Sequence, residues 1–572
     1  MTWSQNYDPL ANTLLSTLIA ALPVVVLLGS IALLRIRIHF AALLGLGVAL
    51  AVAVGMYRMP AEAAAATTAY GAAFGLFPIG WIILNVIFLY QLTVKRGLFA
   101  VLRDSLATVA PDPRIQVVLI AFSFGAFIEG MAGFGTPVAI TGAILIQLGF
   151  KPLHASGLAL IANTAPVAFG SLGIPITTLE QVTGLDAKLV SAMVGRQLPF
   201  FSVLVPFWVV TAFAGWRGML GVWPAALTAG VAFAVPQFLV SNFHGPWLVD
   251  IVSGACSIAA TVVLLRYWRP RSLWPLEGQT VAPVQSSVPQ HDRRGIALAW
   301  APWVILTVLI FVWGSGKNFL KGKTSLGGAV AELRLPAPTS ATNLWLNPRL
   351  VAPEFNMPGL HGMVQRVPPV ASANAKPEKA AFTLDWLAAT GTGILLAALL
   401  SGWLMGFSLR ELLITYRETL WRVRYSLLTI AGMLAIGNVT KYSGTDATLG
   451  LALAHTGAFY PFFGTLLGWL GVALTGSDTA SNVLFGSLQK ITAEQTGLSP
   501  VLMGAANSSG GVMGKMVDAQ SIVVASTATN WYGHEGSILR YVFFHSIALA
   551  ALMGLLVFFQ AYVPPFTAMV VR

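Results

Sequence analysis

Glu129 is the only acidic residue between Asp112 and Glu180, and it opens a glycine-rich run inside an apolar stretch: Glu129-Gly130-Met131-Ala132-Gly133-Phe134-Gly135-Thr136-Pro137. An ionisable group in such a segment costs roughly 2.5 kcal/mol or more at a helix centre and marks a functional position by default. Desolvation favours the neutral form of a carboxyl group, which is what a proton carrier needs; the structural alternative is a carboxylate satisfied by the neighbouring backbone amides. A second polar stretch, Asn163-Thr164-Ala165-Pro166-Val167-Ala168-Phe169-Gly170, follows downstream. The same order then returns near the other end of the chain. Thr475-Gly476-Ser477-Asp478-Thr479-Ala480-Ser481-Asn482 is followed by Asn507-Ser508-Ser509-Gly510-Gly511-Val512-Met513-Gly514-Lys515. Glycines and prolines in these runs free backbone groups that lipid cannot satisfy. Such breaks survive at membrane depth only when buried in protein or lining a watery cavity, the usual construction of a secondary transporter's binding site.

Each constellation also has a plainer reading. Asp478, set among hydroxyls and an amide, suits a cation or a hydroxylated solute, but Ser, Asp and Thr also start helices well. The two readings are compatible, because a half-helix N-terminus inside the membrane is itself an anion site. Asn163 and Asn507 precede Pro166 and Gly510-Gly511, which are expected to unwind their helices. Lys515 is the best-placed full positive charge for a carboxylate substrate; alternatively it forms an ordinary i, i+3 pair with Asp518. His154, His455 and His545 lie near segment ends, where a proton relay is conceivable but bonding to backbone or headgroups is the commoner role.

The elements that must position these residues are membrane spans. Of 572 residues, 56% are hydrophobic and 9% charged, far from the roughly 25% charged of soluble domains. Residues 218–249, 295–316, 386–409, 447–477 and 541–571 contain no Asp, Glu, Lys or Arg, and each exceeds the roughly 18 apolar residues that suggest a span. The expected fold class is all-α, a polytopic membrane protein with about 12–14 transmembrane helices, arranged as two pseudo-repeats with re-entrant hairpins and broken helices. The net charge of +12 lies in short runs between apolar segments and gives no stripe for nucleic acid. With the N-terminus outside, the inner loops 35–38, 95–114, 266–294 and 410–424 carry fifteen Lys/Arg, as the positive-inside rule requires. The single Cys256 excludes an internal disulfide and a thiolate cluster, and no cleavable signal peptide is apparent before the first apolar stretch.

These features divide the chain into an N-terminal membrane half (1–267) holding the first polar knot (129–137) and helix break (163–170), and a Pro-rich cytoplasmic linker (268–295). A transmembrane helix (296–314), an extracytoplasmic loop (315–383) and a C-terminal membrane half (384–572) follow, the last holding the second knot (475–482) and break (507–515). There is no Walker loop, HExxH, CxxC or nucleophile–base pair. ATP-driven transport and a membrane enzyme are therefore disfavoured, the enzyme remaining the alternative of another class, and neither a cofactor nor a metal is expected.

Several of these motifs, with Gln5-Asn6-Tyr7-Asp8-Pro9, Pro137-Val138-Ala139-Ile140, Gly195-Arg196-Gln197-Leu198-Pro199 and Leu474-Thr475-Gly476-Ser477-Asp478-Thr479, closely resemble the bacterial L-lactate permease family, which includes glycolate permeases. The resemblance covers nearly the whole chain. It implies uptake of L-lactate, with D-lactate and glycolate, across the bacterial inner membrane in symport with protons, and kinship with transporters that use paired re-entrant hairpins. The pattern departs at Thr136, Met513 and Asp518-Ala519, beside the expected site.

A 2-hydroxymonocarboxylate with a carboxyl pKa near that of Asp, about 3.9, is ionised at pH 7. One co-transported proton neutralises the translocated complex and removes a cost of roughly 2.3 kcal/mol per 100 mV. Glu129 and Asp478 are the expected proton-coupling residues; Thr136, Asn163, Thr164, Ser477, Thr479, Asn482, Asn507, Ser508 and Lys515 are the expected substrate ligands. A sodium-coupled carboxylate carrier is the close alternative. The partners are then the small substrate, protons and the lipid bilayer; a homodimer is left open.

Overall fold

The computed structural model describes residues 2–32, 34, 36–98, 101, 110–131, 133, 135–276, 292–325, 345–371, 375–454 and 456–571. Most of the expected linker, parts of the long loop, Ala132 and Phe134 of the first knot, and His455 lie outside the described residues. Helix dominates, and the only strands among the described residues are four short ones. Among the described residues, ten helices are long and apolar enough to cross a membrane, or eleven if the bent pair Pro152–Ala162 and Val167–Glu180 is one span; three shorter apolar helices accompany them. The all-α polytopic architecture expected from composition is the one observed.

The sequence breaks the helices around the molecular centre, the first of those that follow being the last part of a helical run from Pro113. In the first half, α1 (Gly125–Met131), α2 (Thr136–Gln147), α3 (Pro152–Ala162) and α4 (Gly170–Thr183) follow in order. The continuous spans α5 (Val249–Tyr267) and α6 (Leu409–Ser443) come next. The second half supplies α7 (Tyr460–Thr475), α8 (Asp478–Thr496), α9 (Pro500–Gly514) and α10 (Ala519–Ala528). Across the two halves, α4 packs against α8 and α2 against α10.

Helix α6 provides a ruler. It starts at a capping box in which Ser408 and Glu411 bond reciprocally, and it runs 35 residues to Gly444, about 50 Å at 1.5 Å per residue. At its start, Glu418 pairs with Lys95 at 2.7 Å, and Gln147 at the end of α2 donates to Tyr90 on the same helix as Lys95. At its far end Lys441 lies 3.8 Å from Glu378, which pairs with Arg366 at 3.1 Å, and Arg366 donates to the Val483 carbonyl of α8 at 3.3 Å. Gly133 at the α1–α2 turn and Gly476 at the α7–α8 turn both face the same interior cavity.

The N-terminal strand β1 (Trp3–Ser4) pairs in parallel with β3 (Val364–Gln365), while β2 (Glu354–Asn356) pairs antiparallel with β4 (Ala381–Thr383). Gln5 also donates to the Lys441 and Tyr442 carbonyls at 3.0 and 2.9 Å. The N-terminus and the described part of the long loop therefore lie together over the C-terminal end of α6.

One local expectation changes. Gly510 and Gly511 stay helical within α9, and the break falls later, between Gly514 and the start of α10. A Cβ at Gly510 would strike the Thr465 carbonyl of α7, and one at Gly468 would strike the Asn507 carbonyl of α9. These glycines let α7 and α9 approach backbone to backbone, the small-residue packing that holds membrane helices together, so they serve packing rather than unwinding.

Candidate functional site

Four chain breaks converge on one narrow cavity of about 30 Å³, lined by Glu129, Gly133, Val167, Gly170, Ser171, Ile174, Pro175, Gly476, Ser477, Asp478, Thr479 and Lys515. Helix α1 ends beyond Glu129, and positive φ angles at Gly133 (61°) and Gly135 (81°) reverse the chain into α2. The break after α3 ends in left-handed backbone at Ser171, Leu172 and Gly173, with φ of 50°, 61° and 73°, before regular helix resumes. Left-handed conformation at Ser171 and Leu172 is uncommon for residues with a Cβ and is held by surrounding structure at functional positions. On the other side, Gly476 (φ 72°) ends α7, and Ser477 caps α8 by accepting from the Ala480 N–H at 3.4 Å. Asp478 is the first residue of α8, so the free N–H groups of that half-helix face the cavity's polar wall.

Lys515 lies in the fourth break. Its ammonium donates to the Gly476 carbonyl at 2.6 Å and sits 3.6 Å from Asp518 Oδ2, with only 3% of the residue exposed. Asp518 in turn caps α10 by accepting from the Ser521 N–H at 2.7 Å. The pair with Asp518 and the place on the cavity wall both hold, because the pair spans a turn and leaves the ammonium at the end of α9. Its charge also acts on Glu129 and Asp478.

Glu129 is 3% exposed, and its Oε2 has no hydrogen-bond partner. A Cβ at Gly170 would meet its Oε1, so glycine there lets the chain pass the carboxyl group. Asn163, which closes α3, lies beside Glu129 near enough to interact, yet neither of its amide atoms completes a well-formed hydrogen bond. Asp478 Oδ2 accepts from the Ser508 hydroxyl, while Oδ1 is unpartnered.

The structure thus brings Glu129, Ser477, Asp478, Thr479 and Lys515 to one cavity wall. Thr136, Asn163, Thr164, Asn482, Asn507 and Ser508 are buried but are not among its lining residues. Asn507 donates to Asn482 Oδ1 at 2.9 Å and accepts from Gln489 at 3.1 Å; Asn482 donates to the Pro175 carbonyl at 3.1 Å. This network fixes α8 against α9 and α4 behind the wall. Thr164 donates to the Ile161 carbonyl at 2.8 Å, and the Thr136 hydroxyl is buried without a partner. Among the histidines, His545 accepts from Trp208 at 3.1 Å and His154 packs edge-on to Phe213, both away from the cavity.

Sequence reading missed Ser171 and Gly170 as wall residues. Gly170 had marked the end of the first break, but nothing in Gly-Ser-Leu-Gly announces left-handed backbone. It also missed Asp250, in the first turn of α5 and 1% exposed, because that acid closes a charge-free stretch and reads as a loop residue.

A family model described as L-lactate permease matches residues 16–564. Over 581 aligned residues the chain is 45% identical to the glycolate permease GlcA of Escherichia coli (strain K12), covering 100% of both chains. It is 44% identical to the L-lactate permease of Bacillus subtilis (strain 168), covering 98% of this chain and 99% of that one. With the L-lactate permease of Escherichia coli (strain K12) the identity is 42% over 98% of each.

Proposed function

The chain belongs to the L-lactate permease family, as a multi-pass inner-membrane transporter and not an enzyme, and from that premise we propose that it takes up small 2-hydroxymonocarboxylates by proton symport. The substrates are L-lactate, with D-lactate and glycolate; relatives named for lactate and for glycolate at similar identity support both.

The observation that carries the reading is the charge set of the cavity. Among the described residues, Lys515 is the only basic group on its wall, and it stands with Glu129, Asp478 and Asp518. A bound substrate adds a fourth carboxylate. Uncompensated charge in a low-dielectric interior is prohibitively costly, and groups there neutralise instead. Protons are the simplest counter-charge, and a site loaded with them crosses the membrane at little electrical cost. In this scheme Lys515 and the α8 N-terminus hold the substrate carboxylate, Ser477 and Thr479 reach its hydroxyl, and Glu129 and Asp478 hold protons. The two glycine turns at one cavity support a pseudo-repeat in which the site lies where the two hairpin tips meet.

The test is accumulation of labelled L-lactate by proteoliposomes in sodium-free buffer with an alkaline interior, in competition with D-lactate, glycolate and acetate. Uphill uptake blocked by the three hydroxy acids, and far less by acetate, is expected. Accumulation that requires sodium would overturn the coupling, and equal competition by acetate would overturn the assignment of a hydroxyl-binding wall.

A further inference from the structure

Asp250 lies outside the wall described above. It stands in the first turn of α5, 1% exposed, and neither carboxyl oxygen has a hydrogen-bond partner. An acid in a helix's first turn is ordinarily explained by the free N–H groups there, but Asp250 accepts from none of them. Its surroundings explain its position instead. A Cβ at Gly130 would meet Asp250 Cβ and the Ile251 nitrogen at 2.8 and 2.9 Å, and one at Gly254 would meet the Phe127 backbone at 2.7 and 2.8 Å. Glycines on both helices therefore let α1 and α5 cross at backbone distance. That crossing sets Asp250 against Gly130, the residue that follows Glu129.

The helices packed against α5 offer little else. Residues 117–124 and the helix Trp223–Phe243 carry no titratable side chain; α4 carries Glu180, His244 follows Phe243, and Lys515 reaches Glu129 from α9. Two buried carboxyl groups, each with an unpartnered oxygen, thus stand one residue apart across the α1–α5 crossing, with the unpartnered Asn163 amide beside Glu129.

We propose that Glu129 and Asp250 form a carboxyl pair that shares an exchangeable proton and that Asp250 delivers protons to Glu129. The O–H bond on Asp250 breaks as the one on Glu129 forms, and Asp250 is reloaded from water. Where the basic loops are cytoplasmic, α5 begins at the extracytoplasmic side, so Asp250 stands on the side from which protons enter. The inference rests on the proton-symport reading and names a residue that reading does not require.

The test is the pH profile of labelled-lactate uptake by full-length protein in sodium-free proteoliposomes. A neighbouring carboxylate favours the proton on its partner, so Asp250→Asn is expected to shift the alkaline half-point of uptake downward by about one pH unit and to lower pH-driven accumulation roughly tenfold, with Asp250→Glu restoring both. Where Asp250→Asn inserts poorly, the double variant Glu129→Gln/Asp250→Asn removes the pair without stranding a charge, and its residual uptake is expected to be flat with pH. A wild-type profile in Asp250→Asn, a profile merely scaled down, or a wild-type pH dependence in the double variant overturns the pair. Sodium dependence appearing in Asp250→Glu but not in wild type would also count against it, as a sign of a cation site. Failure of wild type itself to respond to the pH gradient would instead sink the symport reading.

Discussion

Replacing Lys515 with Met removes the only basic group on the cavity wall among the described residues. The ammonium lies 3.6 Å from Asp518 Oδ2 and 2.6 Å from the Gly476 carbonyl, almost fully buried. At an effective dielectric constant near 20, two unit charges at that separation attract by about 5 kcal/mol, and breaking a buried pair by removing one partner typically costs about 3–5 kcal/mol. Lys515→Met should therefore lose stability even before substrate is considered. Loss of one side of a buried charge-assisted contact with the substrate costs a further 2–5 kcal/mol or so, about thirtyfold to a few thousandfold in Kd. The two losses separate in Lys515→Met/Asp518→Asn. That variant strands no carboxylate and keeps the cap on the Ser521 N–H, since Asn caps helices as well as Asp. Thermal-shift measurements on purified protein should show stability recovered, while equilibrium binding of labelled lactate stays weak. Lys515→Arg should keep part of the binding, because the charge survives in a different shape. Binding within about twofold of wild type in the double variant would refute the assignment and leave Lys515 as the partner of Asp518 alone.

Glu129→Gln should abolish pH-driven accumulation while some exchange of labelled for unlabelled lactate remains, since a neutral side chain mimics only the protonated carrier; uphill uptake at the wild-type level would remove Glu129 from coupling. Asn163→Leu and Asn507→Leu should differ: the first, with its unpartnered amide beside Glu129, should raise KM or abolish uptake in stable protein. The second breaks contacts to Asn482 and Gln489 and should lower Tm by several degrees, as expected for losing about 1–3 kcal/mol of buried hydrogen bonding; a normal Tm with altered KM would reverse that distinction. Gly510→Ala pushes a methyl group into the Thr465 carbonyl and should destabilise by about 1–3 kcal/mol, read as reduced Tm and monodisperse yield. An unaffected Gly510→Ala would mean that α7 and α9 do not meet as described.

Much of the architecture was legible because a membrane imposes strong rules. Apolar length announced the spans, and glycine with polar residues announced the breaks at Gly133–Thr136, Asn163–Gly170 and Gly476–Ser477, since lipid tolerates such runs only in a protein interior. Glu129, Asp478 and Lys515 stood out for the same reason: each is a charge where a charge is costly. What stayed hidden depended on contacts between distant segments. A helical glycine pair reads as a hinge until the partner helix shows that Gly510 and Gly468 are where two backbones touch. Asn507 reads as a ligand until Asn482 and Gln489 are seen to occupy its amide. Asp250 could not be singled out, because its burial comes from the crossing of α1 and α5, two segments more than a hundred residues apart in sequence.

The most direct measurement is the simultaneous recording of proton and labelled-lactate fluxes into sodium-free proteoliposomes, with the membrane potential clamped at several values by potassium and valinomycin. One proton entering with each lactate, at a rate nearly independent of the potential, is the predicted result, because one proton and one lactate together move no net charge. Lactate entry without proton entry, or entry that scales with the potential, would contradict a site in which one proton, held at Glu129 or Asp478, balances the substrate's charge.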